Sequence, residues 1–188
     1  DSKEKLEQAY LDIVQTLRYT VEAKDTYTRG HSDRVAEYSV LIGQKLGLTE
    51  EQLKTLRIGG LFHDIGKIGI PDNILLKPDK LTDDEYSEIK NHPSIGAHIL
   101  SSAVIFKDII PIVKHHHERY DGNGYPARLK GEEIPYLARI AAVADTFDAM
   151  TSRRSYRGPI DIEHVKDEIR KCEGTQFDPQ IAEVFLDI

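Results

Sequence analysis

The run His63-Asp64-Ile65-Gly66-Lys67 sets two metal-ligating side chains next to each other, with a cation three residues on. Neighbouring side chains on a helix point ~100° apart, so such a pair serves a two-metal site more readily than it grips a single ion. A second doublet, His116-His117, follows the apolar run Ile109, Ile110, Ile112 and Val113, which reads as a buried helix. Asp145 lies in Ala141-Ala142-Val143-Ala144-Asp145-Thr146-Phe147-Asp148-Ala149-Met150, and a carboxylate among small apolar residues is costly to bury unless it meets a cation. The lone cysteine, Cys172, rules out an intramolecular disulfide and thiolate-rich sites, so any metal must be held by histidine and carboxylate. In chain order the candidate ligands are His31, His63, Asp64, His92, His116, His117 and Asp145. They are spread over four or more expected helices, which is how helical bundles assemble carboxylate–histidine metal sites.

The chain has 188 residues, 39% of them hydrophobic, enough for one domain with a proper core. No stretch approaches the ~18 consecutive apolar residues of a membrane span, and Asp1 to Gln8 is charged rather than signal-like, so a soluble, cytoplasmic chain is expected. A formal charge of −7 argues against binding DNA or RNA polymers through a basic surface, whereas a small anionic substrate needs only local positive charge. The start at Asp1 suggests an excised domain with a regulatory neighbour upstream.

The elements that must position the ligands are helical. Leu6, Ala9, Tyr10, Ile13, Val14, Leu17 and Val21 form an apolar stripe over about Lys5 to Lys24. This N-terminal helix, within residues 1–28, is read as a possible connector that permits a homodimer; the domain proper spans 20–188. A helix opened by His31 runs to about Leu46, with Val35, Tyr38, Ile42 and Leu46 inward and Gly47 as its stop. Thr49 with Gln52 and Thr82 with Glu85 have capping-box spacing, starting helices near Glu50 and Asp83. The first carries Leu53, Leu56, Ile58, Leu61 and Phe62 into the His63-Asp64 run; the second carries Tyr86, Ile89 and His92. Between them, Gly69 to Lys80, with Pro71 and Pro78, is expected to be loop. A further helix ends near Glu118, before the glycine-rich excursion Tyr120 to Pro126. Helices over about Pro135 to Thr151, Ile162 to Lys171 and after Asp178-Pro179 complete an all-α reading without strands.

Taken together, His63-Asp64, Gly66-Lys67, His92-Pro93, His116-His117-Glu118, Asp121-Gly122 and Gly124-Tyr125-Pro126 resemble the HD-GYP family, a branch of the HD metal-dependent phosphohydrolases, over about Thr20 to Leu186. The resemblance implies a compact multi-helix HD bundle with a metal site between core helices. It also implies hydrolysis of the bacterial second messenger cyclic di-GMP to linear pGpG, GMP or both. The seven ligands above fall on the family's metal positions. Three-metal members carry a glutamate four residues before the first histidine; this chain has Tyr27 there, so two divalent ions are expected. Asp64 is the expected bridge and, with Lys67, the catalytic expectation. Iron is the metal the resemblance favours, while nitrogen and oxygen ligands leave Mn, Ni, Co and Zn open.

Lys67, Arg154 and Arg157 are expected to meet substrate phosphates, guanidinium groups gripping them through paired hydrogen bonds. Gly124, Tyr125 and Pro126 would shape the pocket or dock GGDEF-type cyclases, with Tyr125 as an exposed aromatic. His98 and His164 read as ordinary helix residues, and His115 falls outside the set because Glu118 anchors the doublet's register. Asp148 reads either as a group that orients a ligand or as one that satisfies local hydrogen bonds. Glu22, Asp25 and Glu37 read as exposed charges outside the site. The alternative readings are a phosphodiesterase for another cyclic dinucleotide such as cyclic GMP-AMP, another HD-type nucleotide phosphohydrolase, or a noncatalytic module that binds nucleotide or partner.

Overall fold

The computed structural model describes residues 1–154 and 161–188, and of residues 27, 153 and 154 the backbone alone. Its α-helices are α1 (Ser2–Lys24), α2 (His31–Lys45), α3 (Glu50–Phe62), α4 (Asp72–Leu75), α5 (Asp83–Ile89), α6 (His92–Ser101), α7 (Ile110–His115), α8 (Tyr136–Arg154), α9 (Ile162–Lys171) and α10 (Pro179–Leu186). Short 3₁₀ turns lie at Thr26–Thr28, Ile65–Gly69, Val104–Ile109 and Gly131–Glu133. The described residues form no strand, only an isolated bridge between Glu173 and Phe177. None of the helices is long and apolar enough to cross a membrane.

Local chemistry starts these helices where the sequence predicts. Thr49 accepts the backbone N–H of Gln52 and the Gln52 side chain accepts that of Thr49; Thr82 and Glu85 repeat the exchange ahead of α5. Each box satisfies amide groups that a helix start leaves without partners. Asp178 caps α10 in the same sense, accepting from Gln180 and Ile181.

Three expectations need correction. The segment from Gly69 to Lys80 is not all loop, since α4 forms directly after Pro71. His92 does not end the helix of Tyr86; the chain breaks at Lys90 and Asn91, and His92 opens α6 with Pro93 in its first turn. Proline has no N–H to give the carbonyl four residues back, but is tolerated in a first turn, so the break falls where Pro93 requires it. The third concerns the His63-Asp64 run, which lies beyond α3: His63 is the helix cap and Ile65–Gly69 tightens into a 3₁₀ turn.

Two apolar clusters hold the bundle. One joins Val35 and Ile42 of α2, Leu56 of α3, Ile112 of α7, Ile140 and Val143 of α8, and Val165 and Ile181 of α9 and α10. The other joins Val14 and Val21 of α1, Ile58 and Phe62 of α3, Leu100 of α6, Phe106 and Val113. Helices α3 and α7 contribute to both, so their C-terminal ends are pinned from two sides, and those ends lead directly into His63-Asp64 and His116-His117. Only Val14 and Val21 of α1 are fully buried, leaving Leu6, Leu11 and Ile13 exposed.

The turn after Asp64 packs against the start of α6 so closely that only glycine fits. A Cβ on Gly66 would lie 1.7 Å from the His92 carbonyl oxygen and 2.5 Å from the Gly96 nitrogen. These are backbone atoms that cannot rotate aside, so Gly66→Ala is expected to cost about 3 kcal/mol, the upper end for overpacking. Urea denaturation monitored by circular dichroism measures it.

Candidate metal centre

Four helix ends and one helix interior converge on a single point. His31 opens α2, His63 and Asp64 follow α3, His92 opens α6, His116 and His117 follow α7, and Asp145 projects from within α8. Their ligand atoms fall into three overlapping sets, within each of which all atoms lie within 4.8 Å of one another: Asp64 with His92, His116 and His117; His31 with His63 and Asp64; and His63 with His116 and Asp145. The structure thus brings together all seven side chains that the sequence singles out.

Asp64 divides this cluster between its two oxygens. Its Oδ1 lies 3.2 Å from His92 Nε2 and 4.0 Å from His116 Nε2, whereas its Oδ2 lies 3.3 Å from His63 Nε2 and 3.8 Å from His31 Nε2. Asp145 Oδ1 lies 3.1 Å from His31 Nε2 and 3.7 Å from His63 Nε2.

Three of the imidazoles are oriented in one way. The Nδ1 of His63 donates to the Gly60 carbonyl at 2.6 Å, that of His92 to Ile89 at 2.7 Å, and that of His116 to Val113 at 2.9 Å. In each case the acceptor lies three residues back at a helix end, and for His92 it is the carbonyl that Pro93 leaves unbonded. These bonds place a proton on Nδ1, so that each ring in its neutral form carries its lone pair on Nε2. The Nε2 atoms of His63, His92 and His116 are buried and have no hydrogen-bond partner among the described residues. An unsatisfied buried polar atom costs about 1–3 kcal/mol, and lone pairs aimed at carboxylate oxygens add repulsion. A cation among them removes both penalties, so the residues present fit a divalent metal.

The protonation tendencies of His116 and His117 agree with that fit, whereas in His63 burial is outweighed by Asp64, which pushes it up. Burial holds His117 down at about 4 and His116 well below the ordinary histidine value, keeping both as neutral imidazoles. Burial would raise Asp64 and Asp145, but His63 and Lys67 beside Asp64, and the His31 hydrogen bond to Asp145, hold both carboxyls well below their usual range. For His31, burial is outweighed by hydrogen bonds to Asp145 and Asp148, which push it up to about 10. The carboxylates thus draw positive charge onto the imidazoles of His31 and His63 beside them.

Around the cluster the structure corrects several residue readings. Asp25 is buried rather than exposed: its Oδ2 lies 3.2 Å from Lys67 Nζ, which lies 3.0 Å from Asp64 Oδ2. Nothing in the local sequence marks Asp25, because its burial follows from where the end of α1 lands. Lys67 is therefore spanned by two carboxylates, with its pKa raised above the ordinary lysine value because Asp64 and Asp25 outweigh its burial. Lys24 ties down the same turn, donating to the carbonyls of Ile68 and Ile70 at 2.7 and 2.6 Å.

Tyr125 is not an exposed aromatic. A Cβ on Gly124 would come within 2.5 Å of the His117 carbonyl oxygen, so the loop lies flat on the doublet and the Tyr125 ring stacks on His117 with centroids 4.9 Å apart. Buried Glu118 holds the loop's far side, accepting from the amides of Ala127 at 2.7 Å and Leu129 at 3.1 Å. Its Oε1 also lies 3.2 Å from His115 Nδ1, which keeps His115 outside the cluster. Arg154 is the last residue of α8, with its side chain outside the described residues, and Arg157 lies outside them altogether.

The centre forms the floor of a cleft of about 1010 Å³, whose walls include Arg29, Arg34, Tyr38, Tyr125, Phe147 and Ile162. Arg29 and Arg34 escaped the sequence reading, although Arg34 sits three residues after His31 and so shares its helix face.

An all-helical bundle whose helix ends gather histidines and aspartates around a buried cation site defines a metal-binding domain opening to a cleft of small-ligand size. The chain belongs to the HD domain family, whose model matches residues 15–181. It is 41% identical over 182 residues to the cyclic di-GMP phosphodiesterase of Thermotoga maritima, an alignment covering 96% of this chain and 50% of that protein. It is 36% identical over 184 residues to the 3'3'-cGAMP-specific phosphodiesterase 2 of Vibrio cholerae, covering 97% of this chain and 35% of that one. Among solved structures it resembles the HD domain of the L. monocytogenes phosphodiesterase PgpH in complex with cyclic-di-AMP, with a TM-score of 0.68, 25% identity and 92% of each chain covered. The chain therefore spans about half the length of the Thermotoga relative and less of the Vibrio one. The family read from the motifs and the expected all-α HD bundle are both borne out.

Removing Asp25 leaves the buried Lys67 ammonium with Asp64 alone. Asp25→Ala is expected to lower stability by about 3 kcal/mol, the lower end for breaking a buried ion pair because one partner remains. Urea denaturation of the two proteins side by side checks this.

Proposed function

We propose that this domain hydrolyses a cyclic dinucleotide, cyclic di-GMP first, at a centre of two divalent ions held by His31, His63, Asp64, His92, His116, His117 and Asp145. The observation that carries the reading is Asp64, whose two oxygens face two separate sets of imidazole nitrogens on the floor of a wide cleft. The names of the Thermotoga and Vibrio relatives support the substrate class. Iron is the first candidate metal, with Mn, Ni, Co or Zn as alternatives, and Tyr27 in place of the third-metal glutamate favours two ions over three.

Divalent ions at such a centre polarise a phosphoryl oxygen and make water a better nucleophile. The chain's own part is to orient and to balance charge. Asp64 holds the two halves of the centre at a fixed separation. Lys67, gripped by Asp25 and Asp64, keeps a positive charge beside the reacting phosphate instead of swinging freely. Tyr125, Tyr38 and Phe147 offer flat faces to the bases, and Arg34, with Arg154 and Arg157 by resemblance, offers guanidinium groups to the phosphates. Attack of water oxygen at phosphorus breaks the bond to the 3′ oxygen, giving linear pGpG; a second round gives GMP. Within the bacterial cytoplasm, α1 would serve as the connector to an upstream regulatory segment, and its exposed Leu6, Leu11 and Ile13 would suit a homodimer. The exposed Pro126, Ala127 and Arg128, rather than Tyr125, form the surface for a GGDEF-type cyclase.

The 36% identity to a cGAMP-specific enzyme favours cyclic GMP-AMP as the second substrate to try. Purified protein loaded anaerobically with Fe(II) or Mn(II), and a chelated control, should be given both nucleotides and the products separated by chromatography. Metal-dependent conversion of cyclic di-GMP to pGpG or GMP is expected. His63→Ala and Asp64→Ala should each lose more than about 100-fold in rate, beyond what an outer partner of a ligand costs, and lose bound metal while staying helical. Full activity with unchanged metal content in either variant would sink the assigned site.

Tyr125 makes a second target. Tyr125→Phe should leave turnover nearly unchanged, whereas Tyr125→Ala should raise KM by about 10-fold through loss of one stacking face. Equal KM values in the two variants would remove the ring from substrate binding.

A further inference from the structure

The cluster leaves one question of support open: what holds His31. His63, His92 and His116 each lean on a backbone carbonyl three residues earlier. His31 is the first residue of α2, and Gly30 before it, at φ 73°, turns the backbone in the left-handed sense, so the chain does not enter His31 as it enters the other three. Its Nδ1 lies instead 2.6 Å from Oδ2 of Asp148 on α8, one turn beyond Asp145, whose Oδ1 lies 3.1 Å from Nε2 of the same ring. Both nitrogens of His31 therefore face carboxylates of a single helix.

Asp148 is itself fixed. Its side chain is 1% exposed, and Arg34 donates to Oδ1 through Nε at 2.6 Å and to Oδ2 through Nη2 at 3.1 Å. The Ser152 hydroxyl donates to Oδ2 at 3.3 Å. We infer that Asp148 is the positioning residue that turns His31 into a metal ligand, with Arg34 as the clamp that aims the carboxylate. Donation of Nδ1–H to Asp148 fixes the tautomer and the ring plane, presents the Nε2 lone pair to the centre, and makes that imidazole a stronger base. The inference rests on the reading above that the centre holds divalent ions. It adds that the two halves are supported unequally: in the half built on His31, His63 and Asp145, His31 leans on a carboxylate and His63 on a carbonyl, while His92 and His116 in the other half both lean on carbonyls.

The test is Mn(II) titration of the whole chain, with free Mn(II) counted by its electron paramagnetic resonance signal. The unaltered protein is expected to bind two ions. Asp148→Ala should keep one and bind the other about 10–100-fold more weakly, the usual cost of losing an outer partner. Asp148→Asn, which retains an acceptor oxygen, should recover most of that loss. In a His31→Ala background, Asp148→Ala should weaken binding no further, because the residue acts through His31. Wild-type affinity for both ions in Asp148→Ala, or a full additional loss in the double variant, overturns the inference while leaving the metal reading intact. An unaltered protein that takes up no Mn(II) overturns both. If Asp148→Ala does not fold, Arg34→Gln loosens the same clamp from its half-exposed side and should weaken one ion several-fold; unchanged binding there overturns the inference.

Discussion

The structure depends on one buried negative charge. Asp64 sits among imidazole nitrogens and a lysine ammonium in a place where an unpaired carboxylate could not persist, and every nearby element is arranged around that requirement. Lys67, on the turn that follows, meets it and is held in turn by Asp25 at the end of α1; His63 and His31 face one oxygen, His92 and His116 the other. Helices α2, α3, α6 and α7 present at their ends, rather than on their faces, the groups gathered around Asp64, and α8 alone presents its aspartate from within. A bundle with longer, uninterrupted helices would bury more apolar surface but would carry its histidines past one another.

Two apolar cores make this possible. Because α3 and α7 are shared between them, the ends of these helices cannot drift independently, and the ligands that follow inherit that rigidity. Backbone carbonyls at helix ends, ordinarily a liability, hold the Nδ1 atoms of three histidines. The same economy appears at Pro93, whose missing N–H frees the Ile89 carbonyl that orients His92.

Much of this was legible in the residues. The His-Asp and His-His doublets, the isolated Asp145 and the order of short motifs identify the cluster without reference to space, because metal chemistry restricts which residue types serve. Capping boxes at Thr49 and Thr82 mark helix starts because their reciprocal hydrogen bonds are local. What escaped was decided across distance. Asp25 reads as a solvated charge, and only the landing of α1 on the turn after Asp64 buries it. Tyr125 reads as exposed because the preference of Gly124 for close backbone contact does not reveal which backbone it will meet. The break before His92 was readable in Pro93 and was missed because the apolar spacing of Tyr86 and Ile89 continues smoothly into it.

The grip of Lys24 on the carbonyls of Ile68 and Ile70 makes the turn after the His-Asp pair part of the same mechanical unit as the N-terminal helix. With Asp25 joined to Lys67 one residue further on, two consecutive residues fasten the end of that rod to the turn beside the central carboxylate. The exposed first turns of α1 thus stand at the far end of a rod whose near end is fastened beside Asp64.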